Sequence, residues 1–310
     1  MKKILLIIGI VIFLFIGAVG GYAFHLYNSA VKTVDEGMHV PSDREHSDKR
    51  DDKVNISTKE PLSFLLLGVD EEDFSGRSDT IMVVTVNPNE ETMKRVSIPR
   101  DTLTKIIGRD MDDKINHANA FGGFEMARDT VEEFLNIPID YFASVNMTGF
   151  KEIVDAVGGV SVENEIAFEK EGHTFTKGEM DMDGDEALAY VRMRDQDPEG
   201  DLGRNARQRK VLDSLIDEAA SFSSVTRAQS ILDALGNNIR TDLTFDELWE
   251  INENYRSARH DSSTIEIDGS NERIDGIWYY LVDEEEQQRV SKELRRHLEL
   301  EEPQTVDRSE

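Results

Sequence analysis

The chain has no cysteine among its 310 residues, which excludes structural disulfides and thiolate metal sites. Cations are scarce against anions: 35 Lys and Arg face 63 Asp and Glu, a formal net charge of −28. Nonspecific nucleic-acid binding needs Lys and Arg to displace phosphate counterions, so no nucleic-acid partner is expected. The charge balance speaks to solubility rather than fold. The usual nucleophile and metal signatures are missing as well: there is no GxSxG, no HExxH and no P-loop. His117 is the only histidine inside a segment of interest, and a lone imidazole is more often a structural hydrogen-bonder than a ligand.

Met1-Lys2-Lys3 precedes an uncharged run of 21 residues, Ile4 to Phe24. A helix of that length spans about 31 Å, close to the ~30 Å hydrocarbon core of a bilayer. Lys2 and Lys3 place the amino terminus in the cytoplasm by the positive-inside rule. The reading is a cytoplasmic end at 1–3, a transmembrane anchor at 4–24 and a cell-membrane protein of single-pass type II. A cleaved signal peptide is the alternative, with small residues at Gly17, Ala18, Gly20 and Gly21. Residues 25–60 read as an extracytoplasmic stalk. Ser42 to Lys53 is nearly all polar or charged and lacks the apolar area to offset the entropy of ordering.

Leu62–Val69, Thr80–Val86 and Lys94–Ile98 are strand-length runs bounded by Pro61, an Asn87-Pro88 turn and Pro99. They predict an antiparallel meander. Helical spacing follows over Glu125–Leu135 and Phe150–Val157, the latter closed by Gly158-Gly159. Further strands are expected at Tyr141–Val145, Val160–Val162, Thr264–Ile267 and Ile277–Leu281. Helices are expected over Asp185–Tyr190, Asn205–Ser221, two within 225–259 capped at Thr244 or Asp242, and Asp283–Leu300. The pattern fits an α/β fold, one sheet between helices, in a single domain over 61–300. A disordered tail is expected at 301–310.

Charge gathers at the ends of the apolar strands. Asp70 ends the first, Arg77 and Asp79 precede the second, and Arg100 and Asp101 follow the third. If the strands are neighbours, these residues meet on one edge of the sheet. Downstream, Arg192 and Arg194 follow an apolar helix, and Arg204, Arg207 and Gln208 stand at i, i+3 and i+4 beside Asp201. Arginine's planar fork donates two hydrogen bonds to one phosphate and keeps its charge at any working pH. Asp70 and Asp79 suit Mg²⁺, which takes one or two carboxylates plus phosphate oxygens. Together these parts suit phosphoryl transfer, where catalysis is positioning and charge neutralisation. The competing reading pairs each arginine with the abundant acids on a solvated surface.

Gly76-Arg77-Ser78-Asp79-Thr80, Ser97-Ile98-Pro99-Arg100-Asp101-Thr102, Lys114-Ile115-Asn116-His117-Ala118, Val157-Gly158-Gly159-Val160, Ala187 to Arg194 and Gly200 to Gln208 resemble, in order, the motifs of the LytR-CpsA-Psr family. The resemblance runs over about residues 62–220 and implies a central mixed sheet flanked by helices, an α-β-α sandwich. It implies an apolar pocket for a polyprenyl chain under the sheet and an extracellular catalytic domain. The implied activity is that of a phosphotransferase moving a teichoic-acid-like glycopolymer from undecaprenyl pyrophosphate to peptidoglycan with Mg²⁺. Carried over residue by residue, Asp70 and Asp79 are the metal-side carboxylates. Arg77, Arg100, Lys114, Arg192, Arg194, Arg204, Arg207 and Gln208 bind the pyrophosphate. Asp101 and Asp201 are candidate proton acceptors beside Arg100. Two departures stand out: the acidic stretch Glu71-Glu72-Asp73, where relatives often carry a basic residue, and Arg209 after Gln208, where a second glutamine is frequent. A non-catalytic lipid-pyrophosphate or wall-polymer binding protein and a pyrophosphate hydrolase are the rival readings.

Overall fold

The β-branched runs assemble as their spacing predicts. β1 (Leu62–Val69), β2 (Ser78–Asn87) and β3 (Thr92–Ser97) pair antiparallel, with Leu65 opposite Val83 and Val83 opposite Val96. The computed structural model describes residues 24–221 and 228–300. The β4–β5 hairpin (Leu103–Ile106, Met111–Lys114) follows, then helix α2 (His117–Leu135) and strand β6 (Tyr141–Asn146). α1 (residues 24–32) precedes them all and runs into a π-helical turn, Thr33–Met38. α3 (Met147–Val157) ends at Gly158, whose φ of 105° is the left-handed stop that glycine supplies.

A second, smaller core gathers β7 (Val160–Asn164), β8 (Phe168–Lys170), β9 (His173–Phe175), β10 (Gly178–Met182), α4 (Gly184–Arg192) and α5 (Asp201–Ser221) around Tyr190 and Phe175. α6 (Ala228–Asn238), β11 (Ile239–Thr241), α7 (Phe245–Tyr255), β12 (Asp261–Ile265), β13 (Ser270–Ile274), β14 (Ile277–Leu281) and α8 (Glu284–His297) complete the described chain. Thr244 caps α7 in a reciprocal box with Glu247. Asp242, the other cap candidate, accepts instead from the Phe142 backbone N–H at 2.9 Å. Burial pushes its carboxyl up to about 6.

The main sheet runs β11-β6-β1-β2-β3-β12, with β6 parallel to β1 and β12 parallel to β3. It is the mixed sheet flanked by helices that was expected. Alternation along β1 sends Leu65, Leu67 and Val69 to one face, under α2 and α8, while Leu62 and Phe64 meet α7 on the other. The layer under α2 is packed: Phe124 stacks on Phe142 with ring centroids 3.9 Å apart. α2 breaks at Gly122-Gly123, where φ of 70° and ψ of −166° at Gly123 suit only glycine.

Two expectations are corrected. Among the described residues no helix is long and apolar enough to cross a membrane. The assignment as a single-pass type II membrane protein with an extracellular domain is therefore withdrawn. Residues 1–3, all but Phe24 of the expected 4–24 span, and the 301–310 tail lie outside the described residues. The second correction concerns the stalk at 25–60. Arg44 grips Glu132 with two hydrogen bonds of 2.7 Å, Arg128 reaches Ser42 and Asp43 at 2.8 Å each, and Arg50 holds Asp140 at 2.7 and 2.9 Å. Val54 and Ile56 are buried against Leu62 and Tyr255. Composition registers the charges of this segment but not the buried partners that neutralise them.

Candidate functional site

The meander brings the carboxyl end of β1, the start of β2 and the end of β3 to one edge. A bulge lies there: Gly68 pairs with Thr80 but Val69 pairs with Ser78, so Asp79 is the extra residue. A bulge re-aims a side chain, and Asp79 accepts from Arg100 Nη1 at 2.7 Å. Asp70 and Arg77 pair beside it, 3.6 Å apart, across a backbone hydrogen bond. Asn116 links the two strands' ends. Its N–H donates to Arg100 O, and its carbonyl accepts from Ser78 N–H.

The β4–β5 hairpin returns Lys114 to Asp101, with Nζ 2.7 Å from Oδ1. Arg194, just past α4, lies 3.8 Å from the other oxygen of Asp101 and 3.4 Å from Asp201. Asp201 opens α5, where a carboxylate suits the positive end of the helix dipole. Arg204, one turn on, lies 2.9 Å from it. Asp79, Arg100, Asp101, Lys114, Arg194, Asp201 and Arg204 thus form one charged patch drawn from five separate segments.

This patch has more hydrogen-bond donors than the protein satisfies. Arg100 Nε, Arg204 Nε and Arg204 Nη2 are buried without a hydrogen-bond partner among the described residues. The Arg204–Asp201 contact is close enough for an ion pair, yet its angles are wrong for a hydrogen bond. An unsatisfied buried donor costs about 1–3 kcal/mol. Burial holds the Arg204 guanidinium below its ordinary basicity; Arg100 and Arg194 add to that, and Asp201 and Asp79 oppose it. Arg100 is raised: burial opposes its charge, but Asp79, Asp101 and Asp201 outweigh it. Donors and positive charge are poised for an oxyanion.

Asp70 Oδ1 is also buried without a partner. Asp79 stands on the neighbouring strand β2, paired with Arg100. No cluster of three or more His, Cys, Asp and Glu able to hold a metal occurs among the described residues. Carboxylate oxygens are the donor type that Mg²⁺ takes.

Three expected residues stand apart. Arg192 is half-exposed and pairs with Glu171 at 3.4 Å. Arg207 shares a helical face with Arg204 but is buried against the end of α4. There it donates to the carbonyls of Tyr190 and Met193 and pairs with Asp197. The last carbonyls of a helix lack internal partners, and Arg207 supplies them, so it is structural. Gln208, half-buried on α5, joins none of the ion pairs of the patch. His117 pairs with Asp113 at 2.8 Å, in keeping with a structural role.

The sequence reading missed two features. Ser78 and Asn116 bear buried, unpartnered oxygens beside Asp79 and Arg100, and both lie inside motifs already singled out. The β13–β14 hairpin also borders the site: Tyr280 N–H donates to Asp101 O at 2.9 Å. Its signal was Asp275-Gly276, whose φ values of 50° and 88° suit the turn such dipeptides favour.

Comparison with known proteins bears on the family and the fold. The sequence model of the LytR_cpsA_psr family matches residues 25–296. The polyisoprenyl-teichoic acid–peptidoglycan teichoic acid transferase TagU of Halalkalibacterium halodurans is 52% identical over 304 residues, 97% of this chain and 100% of its own. The crystal structure of Bacillus subtilis TagU superposes with a TM-score of 0.63 at 44% identity, over 79% of this chain and 100% of that one. TagT bound to LI-WTA superposes with a TM-score of 0.71 at 31% identity, over 84% and 100%.

Proposed function

The chain belongs to the LytR_cpsA_psr family, and on that premise we propose that this transferase moves a phosphate-linked, teichoic-acid-like glycopolymer from a polyisoprenyl pyrophosphate to peptidoglycan. The observation that carries the reading is the set of buried, unsatisfied guanidinium N–H groups on Arg100 and Arg204, gathered with Arg194 and Lys114. A pyrophosphate supplies the acceptors these donors lack.

Arg100, Arg194 and Arg204 grip the pyrophosphate oxygens, with Arg77 and Lys114 at the margin. The acceptor hydroxyl attacks the phosphorus that bears the polymer. A new P–O bond forms, the bridging P–O bond breaks, and polyisoprenyl phosphate leaves with the bond's electron pair. Charge building on the leaving oxygen is met by guanidinium groups already in place, which need no reorganisation at the moment of reaction. The hydroxyl proton passes to a carboxylate, for which Asp101 and Asp201 are the candidates. Asp70 and Asp79 would hold Mg²⁺, whose chemistry there is charge neutralisation on the phosphate oxygens.

The test is transfer of a labelled lipid-linked polymer to peptidoglycan by purified protein and its Arg100→Ala variant. Joined product from the parent and none from the folded variant is expected. Product released to water in the presence of acceptor would make the protein a hydrolase and end the proposal.

A further inference from the structure

The β13–β14 hairpin stands beside the site with an aliphatic tip turned to solvent. Ile274 is 39% exposed and Ile277 50% exposed, and they are cross-strand partners. Tyr279, two residues along β14 from Ile277, lies on the same face, with Glu272 opposite it. That face is continuous with the ion-pair patch. Thr102 bridges to Tyr280 in parallel, which sets Asp101 level with Tyr279. Lys114 Nζ completes the junction, 2.7 Å from Asp101 and 5.7 Å above the Tyr279 ring. The tip need not be apolar for the fold's sake, because Ser270 to Trp278 are all exposed.

Resting on the proposed transfer, we infer that the hairpin face of Ile274, Ile277 and Tyr279 is the acceptor subsite, which receives the saccharide strand of peptidoglycan. Sugar rings present flat C–H faces that pack on aliphatic and aromatic side chains, and a face leading outward from Asp101 delivers a ring hydroxyl to the patch. Charge decides between the two polymers. Over residues 268–283 the carboxylates of Asp268, Glu272, Asp275 and Asp283 stand against the one cation Arg273, and Lys114 lies at the inner end, paired with Asp101. A polymer with a phosphate in each repeat is repelled there, whereas the uncharged saccharide backbone of the acceptor is not.

The chain has two tryptophans, and Trp278, 56% exposed, sits on the opposite face of the hairpin from Ile277 and Tyr279. With Trp249→Phe, Trp278→Phe and Tyr279→Trp the sole tryptophan stands on the proposed face itself. Soluble glycan fragments of peptidoglycan should shift its emission saturably, and poly(glycerol phosphate) should not. In the same background Ile274→Ser with Ile277→Ser should weaken the glycan response about tenfold and raise the acceptor KM by a like factor, the donor KM unchanged. Both isoleucines are exposed, and circular dichroism and Tm check that the variant folds. No shift with glycan, a shift with the polyphosphate alone, an unaltered acceptor KM, or an effect traced by sedimentation to self-association would each overturn the assignment. The emission arm needs no turnover. Glycan binding without any transfer would sink the proposed function and leave the subsite standing; transfer indifferent to the double substitution would do the reverse.

Discussion

Arg204→Met separates a binding arginine from a structural one, because the two roles predict opposite changes in stability. Arg204 is 4% exposed, with two donor nitrogens unsatisfied and its basicity depressed. A base held less basic in the fold than in the unfolded chain costs stability wherever it stays protonated, which for arginine is every working pH. Two orphaned donors at about 1–3 kcal/mol each oppose the Asp201 contact. After substitution Asp201 keeps Arg194 at 3.4 Å, so no carboxylate is stranded. The expected change in folding free energy runs from nothing to a gain of about 1 kcal/mol, a Tm rise of up to about 4 °C for a domain of this size. Transfer should fall by about 10²–10³, as it does when a preorganised donor to developing charge is removed. Calorimetry with and without inorganic pyrophosphate reads both sides: the parent's Tm should rise with the anion, and the variant's should rise less. A Tm loss of several degrees, with activity falling only as the folded fraction falls, would refute the reasoning.

Other substitutions test the rest of the site and the fold. Arg207→Ala should cost about 3–5 kcal/mol in denaturant unfolding, because it strands Asp197 and the final carbonyls of α4, while Arg192→Ala should leave the unfolding midpoint unchanged. Asp70→Asn keeps the side chain's shape but removes a charge from the metal pair; the Mg²⁺-dependent part of pyrophosphate stabilisation should vanish, and an unchanged Mg²⁺ titration would count against Asp70 as a ligand. Asp242 is raised from 3.8 to about 6 by burial, so the fold prefers its protonated form. Its penalty is absent below pH 3.8, grows as pH rises to about 6 and is complete above that. Asp242→Asn should therefore stabilise the protein at pH 8, by an amount on the order of 3 kcal/mol, and have no such effect at the acid end of the window. Equal gains at both ends would contradict it.

Legibility followed the range over which each interaction acts. The meander was readable because Val83, Val84 and Val86 form a β-branched run between turn residues, and packing follows from it. Short edges such as Ile239–Thr241 were not, since three residues carry no period and exist only because β6 is there to pair with. Asp79, Arg100 and Arg204 were picked out by residue type and position, but the bulge that turns Asp79 toward Arg100 arises from pairing register. Arg204 and Arg207 look equivalent in sequence, three positions apart. What divides them is that α4 ends against one and not the other, a fact of tertiary packing. The polar stretch from Ser42 to Lys53 was misread for the same reason: local composition cannot anticipate a carboxylate on a helix some 85 residues away.

The arginines ahead of β1 act as fasteners whose loss would be felt at a distance. A chain shortened to begin at residue 61, where the hydrophobic pattern starts, would keep every strand of the meander. It would also strip Glu132 and Asp140, whose side chains are 5% and 3% exposed in the intact chain, of their arginine counterions and of the segment that covers them. The minimal autonomous unit thus starts upstream of Ser42, and trimming to the apparent edge of the core would remove the counterions on which that core depends.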